Sequence, residues 1–425
     1  MGQKQLQRWK VMEMMEVGKI TLKEAGEKIG VSYRQAKRIR RAVKVKGVKG
    51  LIHGNTGRPS SHRIEGRIRE QIVDLSLRKY AEFNDSHFTE QLLEREGIVI
   101  SRETVRKIRR EAGIFSKHKR RGKKHRKRRE RKEQEGLMVI WDGSPHRWFG
   151  PNHPPCCLMA AVDDATGKLL AGRFFAFEGT EGYLWLLRRI VDRYGIPVSI
   201  YQDRHGALHR NDEYWSLEEQ LTNRREPTQV GSALEALGVQ PIFALSPEAK
   251  GRIERLFKTL QDRLVAELIL EQITSMDPAN AFLQSKFIRS FNVRFAVPPK
   301  QSEKAWREVA PKQDLARLIS FHYKATVGND NAVRLGGVII DIPPGPRRRS
   351  YAKAKVEVRQ LLDGSWRVYY KDQMIAKRPP TTLGEPIRAH KNRGRITHKG
   401  ACSYSWVYLA SSETIYKSQL PPTPL

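Results

Sequence analysis

Residues 116–136, SKHKRRGKKHRKRRERKEQEG, constrain the rest of the chain most. Twelve of these 21 residues are Lys or Arg, and no apolar face recurs among them. Such a run has nothing to bury and its like charges repel, so it cannot pack as a domain. It reads as an extended or helical tether laid along phosphates, with Arg120, Arg121, Lys123, Lys124 and Arg126 as its expected contacts. A nuclear-localisation signal is the formal competitor and would need a eukaryotic host. At 425 residues the chain has room for two to four domains.

Charge is distributed unevenly about this run. Lys and Arg exceed Asp and Glu by 33 overall. Residues 1–136 hold 38 Lys or Arg against 17 Asp or Glu, a net of +21, which leaves +12 for the other 289 residues. A solubilising surface would not cluster in this way; nucleic acid at the N-terminal end is the expected partner. The cysteines are Cys156, Cys157 and Cys402, with no C-x-x-C, which argues against structural zinc and fits a reducing compartment. No apolar run approaches bilayer length and no leader precedes the chain. The expectation is a soluble protein that is not secreted, with no membrane partner and no small-molecule cofactor.

Residues 5–46 read as three helices. Thr21 with Glu24, and Ser32 with Gln35, have the spacing of capping boxes, and a tight GVS turn separates the two helices that they start. Ala25, Ile29, Val31, Ala36 and Ile39 would form the shared core of a helix-turn-helix. Its second helix would present Tyr33, Arg34, Gln35, Lys37, Arg38 and Arg41 outward, where Arg and Gln can read base edges in the major groove. An ordinary helical hairpin is the alternative. GNTGRPSSHR (54–63) reads as a linker, and its Arg58 is a weak candidate for a minor-groove contact. A second helical unit spans about 64–114, with Ile64, Ile68, Ile72 and Leu75 at helical spacing. Arg102, Arg106 and Arg109 are expected on its exposed side. Two such units imply a long or bipartite DNA site.

From 137 to about 270, strands and helices alternate. LMVIW, CCLMAAVDD and KLLAGRFFAF read as three strands, and TEGYLWLLRRIVDRYG reads as an amphipathic helix. VSIYQD and VQPIFAL are further strands, and the long helix PEAKGRIERLFKTLQDRLVAELI follows. This is the element order of a ribonuclease-H-like fold. In it the first strand ends on Asp142, with a turn through Gly143, Ser144 and Pro145, and the fourth ends on Asp203. The two strands would lie side by side, and the last helix would bring Glu254 to the same edge. Three convergent carboxylates repel one another, and divalent cations relieve that repulsion. Hard oxygen ligands suit Mg²⁺ or Mn²⁺, and two such ions can clamp both oxygens of a phosphodiester displacement. Asp163 and Asp164 fall at a hairpin turn, where Asx capping is the simpler role. Asp262 lies too far along the helix from Glu254. His146 and His205 follow the two aspartates closely but serve a turn equally well. Lys250 and Arg252, just before Glu254, are expected to hold DNA phosphates.

These motifs in order resemble the retroviral-integrase-like DDE transposases, most closely the ISNCY-type bacterial insertion-sequence group. The resemblance rests on WDGSPHRWFG, AAVDDATGKLLAGRFFAFEGTEGY, YQDRHG, SPEAKGRIERLFKTLQDRLVAEL and FNVRFAVPP, and on GVSYRQAKRI and GLIHGNTGRPS upstream. It covers about residues 5–380. The family's two aspartates and glutamate fall on Asp142, Asp203 and Glu254. Fifty residues separate the last two acids, more than in many relatives, and the surplus reads as an insertion of a kind known in the ISNCY group. Retroviral integrases carry a zinc knot that is absent from this sequence.

The expected domains are a first helix-turn-helix (1–50), a linker (51–63), a second helix-turn-helix (64–115) and the basic linker (116–136). A catalytic core (137–270), a helical connector (271–317), a small barrel (318–380) and a basic tail (381–425) follow. The barrel's strands are AVRLGGVIIDI, KVEVRQLLD and SWRVYYKDQMIA, with a hairpin at Asp363–Gly364; that it is SH3-like is what the resemblance implies. The fold class is thus a multidomain α+β chain. The resemblance implies a transposase that binds terminal inverted repeats, frees a 3′-OH and transfers it to target DNA as a homodimer or higher assembly. The alternatives are a domesticated DNA-binding regulator on the same scaffold, and a hybrid nuclease or resolvase, which would not need two DNA-reading units.

Overall fold

Thr21 starts a helix as its spacing predicts: its hydroxyl accepts from the Glu24 N–H at 3.3 Å, and the Glu24 carboxylate accepts from the Thr21 N–H at 2.7 Å. In the computed structural model, α1 (Gln3–Glu16), α2 (Leu22–Ile29) and α3 (Tyr33–Lys46) enclose a small core of Val11, Met12, Met15, Ala25, Ile39 and Leu51. Gly30, at φ +67°, turns the chain between α2 and α3, a conformation open to glycine at no steric cost. Helices α4 (Gly66–Arg78), α5 (Asp85–Glu94) and α6 (Arg102–Glu111) build a second core on Ile72, Tyr80, Phe83, Phe88, Leu92, Val105 and Ile108.

The described residues are 2–53, 55–57, 63–116, 129–210, 215–223, 225–244, 251–311 and 313–381. They fall in two compact units, Met1–Arg120 and Arg121–Leu425. Arg58, Arg120, Arg121, Lys123, Lys124, Arg126 and Lys250 lie outside the described residues, as does the tail after Thr381.

The second unit is a mixed α+β body. Strands β1 (Met138–His146), β2 (Cys156–Asp163) and β3 (Leu169–Phe175) form an antiparallel meander, followed by α7 (Thr180–Tyr194). Next come β4 (Ser199–Gln202), α8 (Leu217–Thr222), α9 (Gln229–Ala236), β5 (Gln240–Phe243) and α10 (Gly251–Leu270). The sheet order is β3-β2-β1-β4-β5, with β4 parallel to both β1 and β5. The first and fourth strands therefore do lie side by side. Strict alternation along β1 sends Val139 and Trp141 to the side packed by α7, and Met138 and Ile140 to the side packed by α10.

The first strand is longer than expected. Gly143, Ser144, Pro145 and His146 continue the ladder with β2 instead of turning, so Asp142 stands mid-strand, opposite Ala160. The reason is that β2 runs alongside for the whole length and supplies partners. Pro145 is tolerated because the pairing with β4 stops at Ile140, which leaves this part of β1 an edge on that side.

Helical structure after the core ends sooner than expected. Helices α11 (Met276–Phe282) and α12 (Ile288–Phe295) are joined by a π-helical turn, Leu283–Phe287. Pro298 and Pro299 then end helix formation, and most of the chain to 311 is extended, where Ile196 and Arg307 form a β-bridge. A short α13 (Leu315–Leu318) precedes β6 (Phe321–Thr326), a strand that sequence reading missed. AVRLGGVIID is a hairpin of β7 (Ala332–Leu335) and β8 (Val338–Asp341), not one strand. With β9 (Lys355–Gln360), β10 (Trp366–Tyr370) and β11 (Gln373–Arg378), the region forms a four-stranded sheet, β11-β10-β9-β6, beside the two-stranded one.

Candidate active site

The register of β1 on β4 positions the first two carboxylates. Met138, Val139 and Ile140 pair with Ser199, Ile200 and Tyr201. Asp142 and Asp203 each lie two residues beyond the last of these pairs. Strand periodicity turns both toward the face of Ile140 and Tyr201, which α10 covers. Neighbouring strands run about 4.8 Å apart, so the two acids sit at equivalent positions beside the point where β1 and β4 part.

Helix α10 runs in the direction of β1. Near its start Arg252 donates to the carbonyl of Asp164 at 3.1 Å, while the Asp164 N–H donates to the Met138 carbonyl at 3.0 Å. Further along, the Gln261 amide donates to the Ser144 hydroxyl at 3.1 Å. From Gln261 back to Glu254 is about 10 Å of helix, and from Ser144 back to Asp142 is about 7 Å of strand. Glu254 thus stands within about 4 Å, along the shared direction, of the level of Asp142, whereas Asp262 is about 8 Å from it on the other side. Glu254 is exposed, as is Lys258 one turn further on. Among the described residues no three His, Cys, Asp or Glu side chains are gathered closely enough to hold a metal ion. The donors themselves are hard carboxylate oxygens of the kind that Mg²⁺ and Mn²⁺ prefer.

A fourth carboxylate, Glu178, escaped the sequence reading. It follows β3, accepts a hydrogen bond from the Tyr183 hydroxyl, and its Oε1 lies 4.0 Å from Nδ1 of His205. A side chain on Gly143 would run into it, with Cβ against its Oε2. Burial, reinforced by the negative charges of Glu178, Asp142 and Asp203, pushes the Tyr183 phenol well above its ordinary range and keeps it a donor. No local pattern marks Glu178; only the meander brings it to the sheet's edge. His205 serves the turn: its N–H donates to Asp203 Oδ1 at 2.9 Å, and its Nδ1 accepts from the Ala207 N–H at 3.3 Å. His146 packs edge-on against Trp148.

The remaining acids and bases are divided between surface and interior. Asp163 does cap its turn, accepting from the N–H and hydroxyl of Thr166 at 2.8 and 2.7 Å, and it also accepts from the Gly136 N–H at 2.9 Å. Asp164 does more than cap: its buried carboxylate pairs with both Arg129 and Arg252. Arg252 thereby commits donors within the protein. On α3, Tyr33, Arg34, Gln35, Lys37, Arg38 and Arg41 are all exposed, as read from the sequence. On α6 the reading needs correction. Arg109 is not on the exposed side but is 3% exposed, bonded to Asp85 at 2.8 Å and set over the Phe88 ring. Arg102 and Arg106 are exposed, and Arg106 pairs with Glu103 at 2.7 Å.

No family model matches the chain. It is 35% identical over 399 residues to a putative transposase, y4bF, of Sinorhizobium fredii (strain NBRC 101917 / NGR234), covering 94% of this chain and 83% of that one. It is 33% identical over 329 residues to the transposase for insertion sequence IS1202 of Streptococcus pneumoniae, covering 69% and 68%. Among solved structures, a simian T-cell lymphotropic virus intasome is similar at 13% identity and a TM-score of 0.29, covering 75% of this chain and all of that one. The HTLV-2 integrase catalytic core with magnesium is similar at 13% identity and a TM-score of 0.24, covering 36% and 88%.

Proposed function

The chain belongs to the transposases, and from that premise we propose that it binds an element's terminal inverted repeats, cleaves the ends and joins the freed 3′-OH to target DNA. Asp142, Asp203 and Glu254 are the catalytic carboxylates of this reading. The observation that carries it is the β1–β4 register, which leaves Asp142 and Asp203 two residues past the last pair on one face of the sheet. The strand order supports a ribonuclease-H-like core. The exposed side chains of α3 support a helix-turn-helix that reads DNA, with Arg102 and Arg106 serving a second such unit. The C-terminal sheets are read as the SH3-like barrel.

The three carboxylates would hold Mg²⁺ or Mn²⁺, two ions per site. Bound there, such ions supply Lewis acidity to the phosphodiester oxygens and ready a water or 3′-OH for attack. The protein's own groups orient the ligands. His205 pins Asp203 through its backbone N–H, and Tyr183 keeps Glu178 turned away from open water beside Gly143. Lys258, on the face of Glu254, would meet a phosphate. Two element ends must be joined together, so the acting species is a homodimer or larger assembly on DNA, in the bacterial cytoplasm and nucleoid.

Replacing Asp142 or Asp203 by Asn, or Glu254 by Gln, is expected to abolish cleavage and strand transfer. Binding of element ends should stay within about twofold of the parent, since the reading units lie elsewhere in the chain. The check is a strand-transfer assay in Mg²⁺ beside gel-shift titration of the same DNA. A variant that still transfers strands does not carry a member of the triad.

A further inference from the structure

Asp164 has a fully buried carboxylate and ties three segments together. Its Oδ2 accepts from the Lys132 N–H at 2.8 Å and from Arg129 at 3.3 Å, and its Oδ1 accepts from both Arg129 and Arg252. Its backbone carbonyl takes a second bond from Arg252, and its N–H holds the start of β1 at Met138. Arg252 also donates to the carbonyl of Arg129, so the two arginines are joined directly as well as through the acid. Around this group, residues 129–136 form a strap on the sheet. Arg131 donates to the Ala165 carbonyl at 3.1 Å, Glu135 pairs with Lys168 at 2.7 Å, and the Gly136 N–H reaches Asp163.

Burying the Asp164 carboxylate with the largely buried Arg252 guanidinium is costly, and a turn needs none of it: Asp163 alone caps the β2–β3 turn. What the arrangement does accomplish is positional. Arg252 is two residues before Glu254, in the first turn of α10. That turn is anchored to the start of β1, the strand that carries Asp142, through one side chain. A misplacement of about 1 Å in a reacting constellation can cost about a hundredfold in rate.

We propose that Asp164 is a positioning residue for Glu254: it locks Arg252 and the Arg129–Lys132 strap to the start of β1 and so sets where α10 presents its carboxylate. The proposal rests on the reading of Glu254 as catalytic.

The test compares Arg252→Ala, Arg252→Lys and Arg129→Ala in the full chain. Asp164→Asn would leave the largely buried Arg252 without its counter-charge and is a poorer choice. Arg252→Ala is expected to lower the single-turnover rate of strand transfer at least about tenfold, with affinity for element ends held within about twofold. Arg252→Lys should recover part of that rate, since an ammonium can still reach the Asp164 carboxylate but cannot reproduce the fork that also holds the Arg129 carbonyl. Arg129→Ala should fall between them. Hydrogen–deuterium exchange of metal-free protein over residues 251–258 should rise in both alanine variants, a readout that does not depend on turnover. Rates and exchange that stay at the parent level, while Glu254→Gln is inactive, overturn the proposal and leave the triad standing. A loss confined to DNA affinity also overturns it, because Arg252 would then be a phosphate ligand. Strand transfer by Glu254→Gln would instead overturn the reading of Glu254 itself.

Discussion

Arg109 lies between the Asp85 carboxylate and the Phe88 ring, and burial lowers its pKa from the ordinary arginine range. Its removal is expected to destabilise the helical unit by about 2–3 kcal/mol, less than breaking an isolated buried pair because Arg110 remains on Asp85. Arg102→Ala should cost little stability. Urea denaturation separates the two, and DNA binding that is lost in Arg109→Ala should track unfolding rather than contact. The sequence could not distinguish these arginines, since both lie on a polar-looking helix and the partner of Arg109 is 24 positions away. Asp142 and Asp203 were singled out for the opposite reason: an acid following an apolar run is a local signal, although Asp142 stands mid-strand and does not close β1. Glu178 has no such signal. The adjacent cysteines follow the same logic of burial, which pushes Cys156 up to about 11 and Cys157 to about 12. Their thiolate fractions at neutral pH are negligible, so in a Cys402→Ser background iodoacetamide should label the native protein only as fast as it unfolds. Rapid labelling of folded protein would contradict that burial.

Sheet edges show what element-level patterns do and do not reveal. Strand β3 ends the five-stranded sheet, and its outer edge is closed by side-chain amides from the helices after the core. Asn292 exchanges two hydrogen bonds with the backbone of Leu169 at 2.8 and 2.9 Å. Asn280 bonds Phe174 in the same way, and Gln284 donates to the Gly172 carbonyl at 2.6 Å. Strand β6 is closed alike by Gln229 of α9, which bonds both backbone groups of His322 at 2.7 Å. An amide offers a donor and an acceptor at strand spacing, so it stands in for a missing neighbour and blocks pairing with another chain. Asn292→Leu should therefore cost about 2 kcal/mol or more, from one buried donor and one acceptor left unpaired, and should promote aggregation on heating. Thermal melts with light scattering check both effects. Helical periodicity predicted that this region was helical, but the role of its amides depends on which strand they meet. The connector was misread for a plainer reason: sequence reading carried the helix past Pro298 and Pro299 to 317. Gly136 makes a related point. Its φ is +93°, and a Cβ there would lie 2.7 Å from the Trp306 ring, so Gly136→Ala should loosen the strap by about 1–3 kcal/mol.

At the scale of the whole molecule, the excess of positive charge in residues 1–136 is where the proposed reading puts recognition, apart from the proposed chemistry further along the chain. On the proposed reading, each active site holds one set of three carboxylates and acts on one strand end at a time. Joining both ends of an element to nearby target phosphates therefore requires at least two sites held together. Residues 129–136 of the basic run are held on the sheet, and the 13 residues 116–128, extended at most about 3.3–3.6 Å per residue, could span some tens of ångströms. That reach is enough for one protomer's helices to hold one end while its carboxylates cut the other. We therefore expect catalysis in trans within a DNA-bound assembly. The test mixes a Glu254→Gln protein with one carrying Arg34→Ala, Gln35→Ala and Arg38→Ala. Each is inactive alone: the first binds ends but cannot cut, and the second retains its carboxylates but binds ends weakly, since each lost base contact costs about 1–3 kcal/mol. In trans, the first subunit delivers an end to the intact site of the second, and strand transfer returns. If mixed assemblies form and remain inactive, each protomer cuts the end that it binds, and the basic run serves only to grip phosphates.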